Sequence, residues 1–462
     1  MQTYFPHPGS SARPGLSNFC PNLFLLSCLL LAVFTGLSPA YSQDYGTTLP
    51  ESVETDIEYG TIRYASTPRT DPIALLRDRK DLNLKFNPAN GYLNSLLEAL
   101  RIDPTSQILV FSRTSLNIAI ITPETPRAIY FNDTTYLAWT LGSDVIEIAS
   151  MDPKLGPVFY NLAQNQQTIK FDQQTAQCLR CHDSYSLTGG GVPRFILGSG
   201  YTGANGNLVS HEGWILTDPA TPLQFRWGGW YVTGKHGNQV HLGNIVVNDP
   251  AELQQLESMR NGNLDTLETL LNTSPYLARS SDIVALMVIE HQVYVQNLIT
   301  RVGYDIRTAL QNNPEFQDEV LNGNNEKIDI PDPVNQLIRN ISEPLVRAML
   351  MANEAPLTDT IAGSSGYAEW FESQGPYDNQ KRSLRELDLQ TRLFRYPLSY
   401  LIYSAAFDQL PILAKQHIYR RLAEILHSQD QAEEFQYLSG DDKTAILEIL
   451  NETSPEFTAA IK

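Results

Sequence analysis

The sequence predicts an α+β protein: a β-rich N-terminal and central region, then an α-helical C-terminal region. Three observations carry this. Between residues 107 and 171, short apolar runs of strand length alternate with turn pairs such as Asn-Asp, Gly-Ser and Asp-Pro. From about residue 251 the apolar residues recur at helical spacing, with prolines at 331, 344, 356 and 397 as punctuation. Hydrophobic residues make up 42% of the 462 positions, enough for a packed core and against a disordered chain. The length allows two or three domains.

Taken in order, the chain opens with a segment of secretory type. Arg13 is the sole charge before Asp44, and an apolar run from Leu23 to Leu37 is followed by the small-x-small triplet Ala40-Tyr41-Ser42. The run is short for a membrane span of about 20 residues. The expectation is a signal peptide over 1–42, removed before Gln43, with an uncleaved anchor as the alternative. The mature protein is then extracytoplasmic, in the periplasm or beyond, without stable membrane insertion.

Residues 43–250 form the predicted β-rich region. Short helical patterns at 72–77 and 91–100 come first, the latter with Tyr92, Leu93, Leu96, Leu97 and Leu100 on one face. Strands are predicted at 107–112, 118–122, 128–131, 135–140, 145–149, 159–162 and 168–171. Leu187 to Phe195 holds three consecutive glycines and a proline and cannot be a regular helix. A strand or hairpin is predicted over Phe225–Val232. Residues 251–462 form the helical region, with helices near 251–272, 281–311, 332–353, 380–392, 396–407, 411–427 and 441–450. Ser281-Asp282 is placed to cap the second of these.

One stretch carries chemistry: Cys178-Leu179-Arg180-Cys181-His182, a C-x-x-C-H pattern. With 4 Cys and 8 His in the chain, chance gives it about 0.0006 times per sequence. Two thiols at this spacing bond to the two vinyl groups of a porphyrin, and the adjacent imidazole is held under the ring to bind the iron. Loss of residues 1–42 removes Cys20 and Cys28, so the mature chain keeps Cys178 and Cys181 alone. An exported protein with two cysteines has no disulfide framework, and haem c is attached outside the cytoplasm, so the export signal and the motif support each other. The competing readings are a Cys178–Cys181 disulfide and part of a metal site, although zinc asks for four N or S ligands.

These five residues resemble the haem-attachment motif of the c-type cytochromes. The surrounding segments, Gly228-Gly229-Trp230 and Ile289-Glu290-His291-Gln292 among them, resemble large uncharacterised secreted bacterial proteins with one such motif. The resemblance implies one covalent haem c on Cys178 and Cys181, with His182 as proximal iron ligand. Some 135 mature residues precede the motif, so a separable small cytochrome c fold is not expected.

The sixth iron ligand decides function, since a protein Met or His favours electron transfer and an open position favours catalysis or ligand binding. His291 and His241 are the leading distal candidates. His291 lies on an apolar stripe with Val284, Met287, Val288, Tyr294, Val295 and Leu298. His241 shares a glycine-rich loop with His236, five residues earlier, which on a strand places the two on opposite faces. Met287, His211 and His236 follow, Met151, Met259, Met349 and Met351 complete the candidates, and His417 and His427, on helices rich in Lys and Arg, read as solvated. Arg180, Arg194 and Arg226 are positioned in sequence to pair with a haem propionate.

The net charge of −18 argues against nucleic acid as partner and suits a basic redox partner protein or plain solubility. The functional expectation is electron transfer. The alternatives are a haem redox enzyme of peroxidase or oxidoreductase type with an open sixth site, and a non-haem scaffold or binding protein.

Overall fold

The sheet is a six-strand meander with one strand from later in the chain added at its edge. A computed structural model describes residues 62–115, 118–165, 169–209, 213–249, 262–311 and 332–462. The signal-peptide reading over 1–42, His211, Met259 and the predicted helix start at 251–261 lie outside the described residues. Two short helices come first, α1 (Pro72–Arg77) and α2 (Leu93–Leu100). Asp71 caps α1, its carboxylate accepting from the backbone N–H of Ile73 and Ala74. Next come β1 (Ile108–Val110), β2 (Arg127–Phe131), β3 (Thr135–Trp139), β4 (Val145–Asp152), β5 (Gly156–Ala163) and β6 (Phe171–Gln173). Helices α3 (Ala176–His182) and α4 (Tyr185–Thr188) follow, then β7 (Trp230–Tyr231). These seven strands form one antiparallel sheet in the order β7-β1-β2-β3-β4-β5-β6.

The register sorts side chains between the two faces. Leu109, Ala128, Leu137, Ile148 and Tyr160 are successive cross-strand partners or neighbours and pack with Leu93, Leu96 and Leu97 of α2. Ile108, Val110, Ile129, Phe131 and Tyr136 point the other way, into a core built with the C-terminal helices. Both faces are therefore covered, which explains why β1 and β2 read as continuous apolar runs instead of alternating ones.

The helix that ties the halves together is α5 (Ile283–Gln311). Asp282 caps it, Oδ1 accepting from the N–H of Val284 and Ala285, as the sequence predicts. Ser281 does a different job: its hydroxyl donates to the Tyr231 carbonyl and accepts from the Leu109 N–H. Nearly every face of the first half of α5 is buried. Among the described residues it is the one helix long and apolar enough to cross a membrane, and most of it lies inside the protein. A helix apolar all round is a core helix. Around it pack α6 (Asp332–Met349), α7 (Tyr367–Glu372), α8 (Ala405–Asp408), α9 (Ile412–Leu426), α10 (Gly440–Thr453) and α11 (Pro455–Ala460). The described residues thus hold eleven α-helices and the seven-stranded sheet, an α+β architecture with helices concentrated toward the C-terminus, and all belong to one compact unit, Glu51–Lys462.

Among the described residues two predicted elements are absent, the described part of a third is irregular, and the helix predicted over 396–407 is replaced by a 3-10 turn, Tyr400–Tyr403, and the short α8. Residues 380–392 form no helix, because Asp378 and Asp388 use their carboxylates to cap the local backbone. Asp378 accepts from Gln380 and Arg382, and Asp388 accepts from Gln390, Thr391 and Arg392. Such local bonds compete with the helical ladder. Residues 118–122 form a turn instead of a strand, closed by Thr122 and Thr125. The described part of 251–272 is irregular, with Asn263 bonding the His236 backbone.

Candidate functional site

The C-x-x-C-H residues occupy α3, which leaves the sheet edge directly after β6. Helical spacing of three residues places Cys178 and Cys181 one turn apart on one side of the helix. Both thiols are free; Cys178 is half-buried and Cys181 exposed. Burial, followed by Glu147 and then Cys181, pushes the Cys178 thiol up to about 12.

His182 ends the helix, and its setting is specific. Its Nδ1 donates to the backbone carbonyl of Arg194 at 2.7 Å. The Arg194 N–H in turn donates to the His182 carbonyl at 2.9 Å, so the two residues clasp each other. The ring lies against Phe159 of β5, centroids 4.4 Å apart. Burial, aided by Arg127, lowers the imidazole's pKa and favours the neutral ring. A neutral imidazole that donates through Nδ1 carries its lone pair on Nε2, the nitrogen that binds a metal. Nε2 makes no hydrogen bond among the described residues.

The segment beyond the motif is held by α5. Asn297 bonds both backbone groups of Phe195, at 2.8 and 2.9 Å, and Arg301 donates to the Gly190 carbonyl at 2.8 Å. Gly189, Gly190 and Gly191 all have positive φ, of 75°, 67° and 73°. Only glycine adopts three such residues in succession without strain, which is the physical content of the triple-glycine run. Beside it Tyr185 is 87% exposed, an unusual setting for a large aromatic side chain.

The predicted distal residues sit elsewhere. His291 is buried in the α5 core; its Nε2 shares a hydrogen bond with the Ser399 hydroxyl at 2.8 Å, and its ring faces Phe394 and Tyr400. Burial holds its pKa at about 3. His241 is likewise buried, its Nδ1 accepting from the Gly243 N–H and its pKa held at about 3, by burial first and His236 second. None of these partners belongs to the motif. The spacing argument that separates His236 from His241 fails here. The loop turns through Gly237 (φ 60°), and the two rings meet with centroids 4.7 Å apart, His236 Nδ1 donating to the Gln239 carbonyl. Met151, Met287, Met349 and Met351 are all core residues. His427 is exposed as expected, but His417 is half-buried, its Nε2 without a partner among the described residues.

The three arginines separate as well. Arg226 is consumed in the core, donating to Glu290 at 2.9 Å and to the Thr221 and Pro219 carbonyls. Arg180 is exposed on α3. Arg194 has the carbonyl that sequence reasoning could not foresee, because a backbone hydrogen bond from a residue twelve positions away leaves no side-chain signal.

No family model, curated protein or solved structure matches this chain. Among the described residues, no three His, Cys, Asp or Glu side chains converge on a common metal position. That counts against zinc at Cys178, Cys181 and His182 and leaves the porphyrin reading untouched, since haem iron takes one imidazole from this segment. What the described residues place together is two free thiols one helical turn apart and an imidazole with Nε2 unbonded; a cavity among them lies elsewhere, lined by Met151, Gly156, Thr300, Arg307 and Leu410.

Proposed function

We propose that this chain is an exported mono-haem c protein that passes single electrons to or from a redox partner protein. Cys178 and Cys181 are the attachment thiols and His182 is the proximal iron ligand. The observation that carries this reading is the bond from His182 Nδ1 to the Arg194 carbonyl. A carbonyl partner fixes ring orientation and tautomer and raises the basicity of the ligating nitrogen. Haem iron, when bound, supplies the ferrous–ferric couple. The chain's own part is to orient the imidazole, through Arg194 and the Phe159 ring, and to hold the post-motif loop, through Asn297 and Arg301.

A second reading is a haem redox enzyme with an open sixth position. It draws support from the core packing of every described His and Met candidate other than His417 and His427, which leaves them partners of other residues. The non-haem reading, with a Cys178–Cys181 disulfide or metal, draws less support: both thiols are free, and among the described residues no third His, Cys, Asp or Glu side chain joins them.

The test is expression of the full chain with a haem-maturation system, followed by haem staining after denaturing electrophoresis and visible spectra. Covalent haem that is lost in Cys178→Ala is expected; correctly exported protein without haem refutes the proposal. Sharp low-spin bands mean six-coordinate iron and electron transfer. A high-spin spectrum that shifts on adding cyanide or carbon monoxide moves the assignment to the enzyme.

A further inference from the structure

We propose that the cavity between the β4–β5 hairpin, α5 and the segment after α8 binds one small monatomic anion such as chloride, a site independent of the haem reading above. Its walls come from all three elements: Met151 and Gly156 from the sheet, Thr300, Gly303 and Arg307 from α5, and Leu410 beyond α8. The volume is about 10 Å³, room for a single particle the size of a water molecule. That size admits a halide and excludes a sulfate, a phosphate or an organic acid. An ion held there would bridge the sheet and the helical half of the molecule.

The lining selects the sign of the charge. Two cations border the cavity, Arg307 and the exposed Lys154. Arg307 is half-buried, and among the described residues it forms no ion pair. Its Nη2 donates to the Gln409 carbonyl at 2.7 Å, while Nε and Nη1 make no hydrogen bond. Burial pushes its pKa down, Tyr304 acts less strongly the other way, and no carboxylate contributes. In a chain with 51 acidic and 33 basic residues, an arginine on the core helix without an acid partner is unexpected. The acids on the neighbouring segments are committed elsewhere. Asp152 accepts from the backbone N–H groups of Thr70, Lys154 and Leu155, Asp305 pairs with Arg301, and Asp408 lies 3.9 Å from Lys415. The Thr300 hydroxyl is spent on the Gln296 carbonyl, so Arg307 supplies the donors on the α5 wall. Two glycines keep the space open. A Cβ on Gly303 would stand 2.8 Å from Arg307 Nη1, and one on Gly156 would stand 2.3 Å from the Thr300 methyl. Glycine inside a helix is destabilising relative to alanine, and α5 carries one where the guanidinium lies. A guanidinium is weakly hydrated, so it gives up water readily for an anion.

The test follows the urea midpoint of the full chain as sodium chloride replaces sodium gluconate at constant ionic strength, with the chloride NMR line width as a second readout. Wild type should gain stability saturably with chloride and broaden the chloride line. Both responses should vanish in Arg307→Gln and in Gly303→Ala, whose added methyl group takes up the space. Lys154→Gln should raise the half-saturating chloride concentration about two- to fivefold, the worth of a solvent-exposed charge. A flat midpoint with an unbroadened line in wild type means that the cavity takes water alone and overturns the inference. A chloride response that survives in folded Arg307→Gln places the ion elsewhere and overturns it too. If Arg307→Gln does not fold, Gly303→Ala decides, since alanine suits a helix interior: an undiminished chloride response there refutes the site.

Discussion

His182 and His291 are both imidazoles on helices, yet they are opposites. His182 sits half-buried at the sheet edge, with Nδ1 fixed by a backbone carbonyl and Nε2 unspent. His291 is 2% exposed in the deepest part of the α5 core, with Nε2 spent on Ser399. The contrast teaches that a histidine's availability depends on which of its nitrogens the fold has used. Burial alone is a poor guide, since it pushes both rings toward the neutral, ligating form.

The largest expected effect sharpens this contrast. On the proposed haem reading, His182→Ala removes proximal ligation while the thioethers keep the haem attached, and the expected outcome is loss of the low-spin spectrum, which visible spectroscopy reads directly. An unchanged spectrum would erase the distinction between the two rings. Next in size is the buried ion pair beneath the α5 core. Glu290→Ala leaves Arg226 desolvated without its carboxylate, and about 3–5 kcal/mol of stability should be lost in urea unfolding. On the haem reading, covalent attachment at Cys178 and Cys181 should persist, because neither thiol contacts this pair.

Acid comes third. His241 and His291 have folded pKa values of about 3, below the ordinary value of 6.5. The unfolded chain therefore binds more protons between those limits. Stability is full above about pH 6.5 and falls as pH drops toward 3, by on the order of 2 kcal/mol per imidazole at pH 5. Denaturant midpoints across this range check the sign; a core that gains stability on acidification would contradict it. The smallest effect is His291→Ala, expected to cost about 1–3 kcal/mol through the lost Ser399 bond and a small cavity. It should also remove part of the acid sensitivity and leave the visible spectrum unchanged. A switch to high spin in this variant would make His291 the distal ligand after all and break the comparison.

Much of this fold was legible in the chain. The runs at 128–131, 135–140 and 145–149 became β2, β3 and β4 because β-branched and aromatic residues between turn pairs have few other options. Asp282 announced the start of α5. The helix predicted over 380–392 failed because Asp378 and Asp388 read as ordinary helix-surface residues until their carboxylates are seen closing local turns. The separation of His236 from His241 failed because strand alternation was assumed for a segment that turns at Gly237.

The sequence by itself determined the chemistry on offer: two thiols and an imidazole at C-x-x-C-H spacing, an α+β order of elements, and a triple glycine beside the motif. Those are properties of covalent spacing and local backbone preference, which act over a few residues. Only the tertiary structure decided which nitrogen of His182 is free, which of three arginines is spent in the core and which histidines are core. Each of those turns on a partner distant in the chain or on a backbone carbonyl, and neither leaves a mark in residue order.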